Sequence, residues 1–490
     1  MTSTQDAPTR IAPERLRRAL NPQTAVVVGS KRADGYMWLR NYSSFTGKLY
    51  SVQIDPNEIP GIEALGVTNY TSLLDVPGEI DYVMLAVPRP VAPRVLADCA
   101  KKGAGAVALF TSGFAETGEE EGIRLQAELL RIAREGDVAL IGPNCMGLYN
   151  RKLGIRQSAE QGAGEAGEVG FISQSGTHAI NFGLVGEQHG VRVSTSASIG
   201  NAIILDVPDY LDYLADDADT KVIAMYIEGV KDGPRFVRSL QRATAKKPVV
   251  VWKGGVTAAG ARATASHTGS LATSNAVFGA IVKQAGALPA DSLEDTIDVV
   301  KALLYAAPME RPATGRRMGL MAMTGGQSVV ITDAFVTAGL EVPRLSDASY
   351  EQLKSFFNII GGSYQNPLDM GGTIGFGGSA QTLEKLFGIL DADPNVDAIA
   401  MEMASGFLAR RWQMDPKALD GLLDTLVAHK ERSPKPFITV LQPQHVEDIV
   451  SQARHRMQER RLAVFPSFER AARALKRATD YHRFRAGLDS

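Results

Sequence analysis

His267 lies in the run Arg262-Ala-Thr-Ala-Ser-His-Thr-Gly-Ser-Leu-Ala272, and nearly all of its neighbours there are small. Read from residue types alone, this is a loop, and its imidazole is the plainest nucleophile in the chain. Small neighbours let a backbone approach a phosphate closely, and an imidazole free of bulky packing can move between two reaction partners. That combination suits a phosphoryl shuttle. A lone histidine in a surface loop equally serves to bond a nearby carbonyl, so the segment needs supporting groups before chemistry is assigned to it.

The supporting groups sought are anion sites. Phe171-Ile-Ser-Gln-Ser-Gly-Thr177 and Met323-Thr-Gly-Gly-Gln-Ser-Val329 each close an apolar strand with small residues and then open a helix. Ser175, Gly176 and Thr177 in the first run, and Gly325 and Gly326 in the second, would present free backbone N–H groups at the positive end of a helix dipole. Serine and glycine also cap helices that bind nothing. Nearer the N terminus, Val26-Val-Val-Gly-Ser-Lys-Arg-Ala-Asp-Gly35 places Gly29, Ser30 and Lys31 after the first strand, where a doubly wound sheet holds a nucleotide. The G-x-G-x-x-G spacing of a dinucleotide site is missing, and the Lys31-Arg32 pair fits either several phosphates or plain solvation. Leu85-Ala-Val-Pro88 and Leu109-Phe-Thr-Ser-Gly-Phe114 also close strands on the side where open sheets bind ligands.

Such groups need parallel α/β units to position them, and short β-branched runs alternating with amphipathic stretches supply the pattern. A first set of strands is expected near 25–29, 48–54, 82–87, 106–111 and 139–142, with helices at 93–102 and 120–135. The Gly-rich run Gln161-Gly-Ala-Gly-Glu-Ala-Gly-Glu168 reads as a linker. A second set follows near 169–173, 222–228 and 248–254, and Arg311-Pro-Ala-Thr-Gly315 marks another break. The third set has strands near 318–324, 398–403 and 437–441, closed by an amphipathic run at 468–484.

Length and charge agree with this reading. A chain of 490 residues is too long for one core. A net charge of −2 offers no basic field for nucleic acid or an anionic membrane, so small molecules and protein are the expected partners. Two cysteines, Cys99 and Cys145, cannot form a disulfide framework and fit a reducing, cytoplasmic setting. No apolar leader or membrane-length run is present. Seven histidines, none spaced as H-x-H or H-E-x-x-H, carry no metal signal.

Taken together, Ile141-Gly-Pro-Asn-Cys-Met-Gly147, Phe171-Ile-Ser-Gln-Ser-Gly-Thr177, Tyr226-Ile-Glu-Gly229, Ser266-His-Thr-Gly-Ser270 and Asn366-Pro-Leu-Asp369 occur in the order of one family. From about Pro22 to Arg485 the chain resembles the NDP-forming acyl-CoA synthetases of the succinyl-CoA synthetase superfamily, and most closely the α subunit of the ADP-forming acetate–CoA ligase type. The resemblance implies an α/β chain of three consecutive domains, a Rossmann-like CoA-binding domain and two flavodoxin-like succinyl-CoA-ligase-type domains. The expected bounds are a flexible arm over 1–20, then 21–150, 165–308 with the phosphohistidine loop, and 315–485.

The resemblance also implies roles. His267 is the residue phosphorylated in turnover and Glu228 the carboxylate that orients its ring. Ser175, Gly176 and Thr177 form one phosphate-binding helix start, and Gly325 and Gly326 belong to the other. Gly29, Ser30 and Lys31 contact the phosphates of coenzyme A, Val87 and Pro88 line its nucleotide pocket, and Asn144 and Cys145 fall near the thiol end. Cys145 is read as a packed small residue, since no histidine pairs with it in sequence. The implied reaction interconverts acyl-CoA, ADP and phosphate with acid, ATP and CoA.

No segment resembles the ATP-grasp fold that holds the nucleotide in this family. A separate ATP-grasp β subunit is therefore expected, carrying Mg²⁺ with ADP or ATP, in a homodimer or an α2β2 assembly. Two other readings stay open at this level: a CoA-binding or regulatory protein without ligase activity, and a nucleotide-independent acyl-CoA hydrolase or transferase. The acyl group, the choice between ADP and GDP and the physiological direction are not encoded in any single motif.

Overall fold

The computed structural model describes residues 11–268, 274–374, 380–414, 416–443 and 445–488. The chain divides into two compact units, residues 1–187 with 191–293, and residues 188–190 with 294–490.

The first unit opens with helix α1 (Pro13–Leu20), which buries Leu16, Ala19 and Leu20. Six parallel strands follow: β1 (Thr24–Val28), β2 (Lys48–Val52), β3 (Thr68–Tyr70), β4 (Tyr82–Leu85), β5 (Ala106–Leu109) and β6 (Ala139–Ile141). Their order, β3-β2-β1-β4-β5-β6, is that of a doubly wound sheet, whose switch point lies between β1 and β4. Helices α2 (Ala92–Lys102) and α3 (Glu120–Glu135) pack against each other. β4 and β5 are buried at every residue, so they read as unbroken apolar runs, as strands covered on both faces do. In the register, Val28 lies opposite Leu85, and the two strand ends are therefore level.

A second sheet in the same unit contains β7 (Gly147–Asn150), β8 (Val169–Ser173), β9 (Val193–Ser198), β10 (Val222–Ile227), β11 (Val249–Lys253) and β12 (Leu288–Ala290). The order is β12-β11-β10-β8-β9-β7, with only β7 antiparallel. Without that edge strand the order is flavodoxin-like. Helices α4 (Gly176–Gln188), α5 (Val207–Asp216), α6 (Gly233–Lys246), α7 (Ala258–Thr268) and α8 (Asn275–Gln284) complete it.

One apolar core runs through both sheets, from Met84 and Ile141 to Ile172, Ile223 and Val251. The Leu148 N–H of β7 also donates to the Tyr82 hydroxyl of β4 at 3.0 Å. The run from Gln161 to Glu168, expected as a linker, is tied down. Gln161 is buried and accepts from the N–H groups of Gln157 and Ser158, Tyr149 donates to the Gly162 carbonyl at 2.9 Å, and Arg151 donates to that of Glu165 at 3.0 Å. Its glycines encode close approach rather than freedom, since a Cβ at Gly167 would lie 2.1 Å from the Arg192 carbonyl oxygen.

In the second unit, β13 (Met318–Ala322), β14 (Leu368–Asp369), β15 (Ala398–Glu402), β16 (Phe437–Val440) and β17 (Val464–Phe465) form a parallel sheet ordered β14-β13-β15-β16-β17, again flavodoxin-like. Helix α9 (Leu293–Lys301) leads into it, α10 (Gly325–Thr337) follows β13, and α11 (Phe468–Arg485) packs on α10. Lys301 is fully buried. Its ammonium donates to the Val464 carbonyl at 2.9 Å and faces Asp298, which is also paired with Arg470, so charge as well as packing fixes α9 to β17 and α11.

Candidate active site

Glu228 stands where β10 ends, and its backbone is held from both neighbouring strands. From the β8 side, the Gln174 side-chain oxygen accepts the N–H groups of Glu228 and Gly229, and its amide donates to the Gly229 carbonyl at 3.0 Å. From the β11 side, the Lys253 ammonium donates to the carbonyl of Glu228 at 2.8 Å and to that of Gly254. The carboxylate is divided. Oε1 accepts from the Tyr226 hydroxyl at 3.1 Å, while Oε2 is buried and has no partner among the described residues. A buried carboxylate oxygen left unbonded is costly, and this one is free to accept from a further N–H or O–H donor.

The Ser175 helix start lies beside it at the end of β8. Ser173 Oγ accepts from the Ser175 N–H at 3.2 Å and donates to its carbonyl, and Ser175 Oγ accepts from the His178 N–H. Thr177 is exposed. A Cβ at Gly176 would lie 2.8 Å from Met146 Cγ, so glycine is needed for the approach of the loop that carries Asn144 and Cys145. The structure thus brings Ser175–Thr177 alongside 144–146.

Asn144 adopts a left-handed conformation at φ 59°. Its N–H donates to the Thr111 carbonyl at 3.1 Å and its side-chain amide reaches Asn201 at 3.5 Å. Asn201 in turn donates to Glu116 at 2.6 Å and to Gln126 at 3.0 Å. Cys145 points inward, donating to the Leu109 carbonyl at 3.4 Å. Burial pushes its thiol up to about 12, which keeps it protonated and unreactive.

His267 falls in the last turn of α7 rather than in a loop. The alanine-rich run Ala258-Ala-Gly-Ala-Arg-Ala-Thr-Ala265 carries high helix propensity, which outweighs the loop pattern read from small residues. The His267 side chain and residues 269–273 lie outside the described residues. The backbone is nevertheless placed. α7 packs against the turn at Ala115–Thr117, whose Glu116 holds Asn201. The two ends of the segment are pinned together, because the Asn275 amide donates to the carbonyls of Gly255 and Val256.

At the mouth of the first sheet, a Cβ on Gly29 would lie 2.4 Å from the Ala86 carbonyl oxygen, and its φ is +94°. Ser30 is buried, with its hydroxyl unpartnered among the described residues, and Lys31 is exposed beside it. Val87 is buried and its carbonyl accepts from Thr111, whereas Pro88 is exposed. An orphaned hydroxyl, a cation and a close glycine turn at one strand end fit a phosphorylated ligand.

Gly325 and Gly326 open α10 in the second unit, after Thr324, whose hydroxyl accepts from the Gln327 N–H. Carboxylates flank this start. Glu402 accepts from the Met323 N–H at 2.8 Å, and a Cβ on Gly325 would lie 3.4 Å from Asp369 Oδ2. Burial, and then the Asp369 charge, raise the Glu402 carboxyl above its ordinary range. Among the described residues no three metal-binding side chains cluster, and no helix is long and apolar enough to cross a membrane.

Sequence reasoning missed Gln174, Tyr226, Lys253, Asn201 and Glu116 as parts of this site. Gln174 and Tyr226 stood inside runs already singled out, but nothing in a run announces a side chain that bonds backbone on the next strand.

A CoA binding domain model matches residues 23–151, and a succinyl-CoA ligase like flavodoxin domain model matches residues 166–303. The α subunit of acetate–CoA ligase [ADP-forming] II from Pyrococcus furiosus is 35% identical over 77% of this chain and 80% of its own length. Acetate–CoA ligase [ADP-forming] I from Archaeoglobus fulgidus is 32% identical over 78% of this chain, which spans 54% of that relative's length. Among solved structures, a dinucleotide forming acetyl-coenzyme A synthetase 1 from Candidatus Korarchaeum cryptofilum, in complex with phosphate and ADP, superposes with a TM-score of 0.82 at 29% identity. It covers 96% of this chain and 98% of its own.

Proposed function

The chain belongs to the family of ADP-forming acetate–CoA ligase α subunits, and we propose that it carries the acyl-CoA and phosphate chemistry of such a ligase through a phosphohistidine at His267. Phosphate attacks the thioester carbonyl, the C–S bond breaks, and CoA leaves as the thiol with an acyl phosphate in its place. The His267 ring nitrogen then attacks phosphorus, the P–O bond to the acyl group breaks, and the carboxylate departs. In the last step a β-phosphate oxygen of ADP attacks the same phosphorus, breaking the N–P bond and giving ATP. The reverse order makes acyl-CoA.

The chain's own residues do the positioning. Glu228 accepts from one ring N–H of His267 and so leaves the other nitrogen free to attack. The N–H groups at Ser175–Thr177 hold the phosphoryl oxygens, which is electrostatic stabilisation by groups already in place. Gly29, Ser30 and Lys31 take the CoA phosphates, Val87 and Pro88 its nucleotide, and Asn144 the acyl end, within a CoA-binding region over 21–150. Residues 165–308 carry the phosphohistidine segment. Gly325 and Gly326, within 315–485, form the second phosphate site, weakened by Asp369 and Glu402.

The α designation of the relatives supports a second, ATP-grasp subunit that brings ADP or ATP with Mg²⁺, in a homodimer or an α2β2 assembly acting in the cytoplasm. One observation carries this reading: the buried, unpartnered Oε2 of Glu228 in the same compact unit as the Ser175 helix start and the pinned α7 segment. The test is to incubate the chain with acetyl-CoA and radiolabelled phosphate. An acid-labile, alkali-stable label on His267 is expected, abolished in His267→Ala and reduced roughly a hundredfold or more in Glu228→Gln. An unlabelled wild-type chain that still binds CoA would overturn the proposal.

A further inference from the structure

Tyr226 and Glu228 are two residues apart at the end of β10, and alternation along a strand puts them on one face, phenol beside carboxylate. The phenol has one proton to give, and it goes to Oε1 at 3.1 Å. Three features fix it there. The ring is packed by His178, with centroids 4.3 Å apart, and by Trp252 at 4.6 Å, and those two rings are themselves 4.5 Å apart. Gly254 leaves the space that the hydroxyl occupies, since a Cβ there would lie 2.4 Å from the phenolic oxygen. Burial, and next the Glu228 charge, push the phenol above its ordinary range, so it stays a donor at any working pH.

Resting on the reading of Glu228 as the partner of His267, we infer that Tyr226 is a positioning residue: it occupies one carboxylate oxygen of Glu228 and thereby reserves the other for the imidazole. Without that bond the carboxylate can rotate about its last torsion, which is broad for glutamate, and either oxygen can meet the ring at a range of angles. With it, Oε2 is presented in one direction, and one His267 tautomer is selected.

The experiment uses the full chain and two substitutions that break the same bond in different ways. Tyr226→Phe keeps the ring and its packing but removes the donor. Gly254→Ala keeps the donor but displaces it. For each, the rate of His267 phosphorylation from acetyl-CoA and phosphate is measured, with CoA affinity and the ¹⁵N shifts of the His267 ring. The expected result is roughly a tenfold slower phosphorylation in either variant, with CoA affinity and the KM for phosphate unchanged. Little further loss is expected when the two are combined. The ring should show one tautomer in the wild type and a mixture in Tyr226→Phe.

If the wild type forms phosphohistidine and Tyr226→Phe matches it in rate and tautomer, the positioning role alone is overturned. A wild type that forms none overturns the proposed function, and the inference with it. A loss of CoA affinity parallel to the loss of rate would mark Tyr226 as a packing residue and also count against the inference.

Discussion

At the scale of single residues, the site separates groups that react from groups that hold. Cys145 has the element that could attack a thioester, yet burial takes its thiol from an ordinary value near 9 up to about 12. Iodoacetamide at pH 8 should therefore leave Cys145 and the equally buried Cys99 unmodified in the native chain and label both after denaturation, as read by mass spectrometry. The linkage has a definite sign. The folded state holds the Cys145 proton more tightly than the unfolded state, so this contribution to stability is full below pH 9 and is lost as pH rises from 9 towards 12. Legibility at this scale was partial. Cysteine without a paired histidine was readable as inert, but Gln174 was not readable as the residue that bonds Glu228 and Gly229, because that role depends on which strands are neighbours.

At the scale of elements, strand ends and the loops that leave them set the geometry, and glycines fix how closely they approach. Gly200, at φ +50°, would place a Cβ 2.2 Å from the Asn144 carbonyl oxygen and 2.3 Å from that of Pro143. Gly200→Ala should push the Asn144 loop away from the end of β9. It should cost about 1–3 kcal/mol of stability and raise the KM for acyl-CoA several-fold with CoA-independent folding signals retained; an unchanged KM and melting temperature would show that the loop is not held there.

The sequence pattern located β1, β2, β4, β5, β6, β8, β10, β11, β13, β15 and β16, since each is a β-branched or apolar run. β9 escaped it. Val193-Ser-Thr-Ser-Ala-Ser198 looks polar, but all six residues are buried and no alternation survives: Ser194 is bonded to Thr220 at 2.7 Å and Ser198 Oγ accepts from the Met146 N–H at 3.0 Å, while Ser196 Oγ has no partner among the described residues. β14 and β17, of two residues each, are too short to leave a period at all. The helix bearing His267 was misread as a loop for the opposite reason: small residues mark close approach, and alanines among them also build helix.

At the scale of the whole molecule, buried histidines in both units couple stability to acid, since burial lowers His178 in the first unit as it does histidines in the second. In the second unit, burial pushes His189 and His429 down to about 4, with the cations Lys301, Arg470 and Arg454 adding to the effect at His189 and Asp391 opposing it at His429. A depressed folded-state pKa means that their contribution is present above 6.5 and lost as pH falls from 6.5 through 4. Thermal unfolding should accordingly shift down over that window, and His189→Gln should flatten the shift by about 2 °C or more; an identical pH dependence in the variant would refute the assignment to His189.

The family and the three-sheet α/β architecture were legible in the order of five short runs, whereas the apolar core shared by the first two sheets was not. The shared core from Met84 to Val251 joins two sheets that the glycine-rich run at 161–168 seemed to divide.

The central claim is that this chain alone can load His267 from the acyl side. The most direct measurement is a rapid-quench experiment on the isolated chain with acetyl-CoA and phosphate and no nucleotide, following free CoA and phosphohistidine together. One burst of CoA release matched mole for mole by phosphate on His267, then arrest until ADP and an ATP-grasp subunit are supplied, is the predicted result. Continuous CoA release with no phosphoenzyme would contradict it.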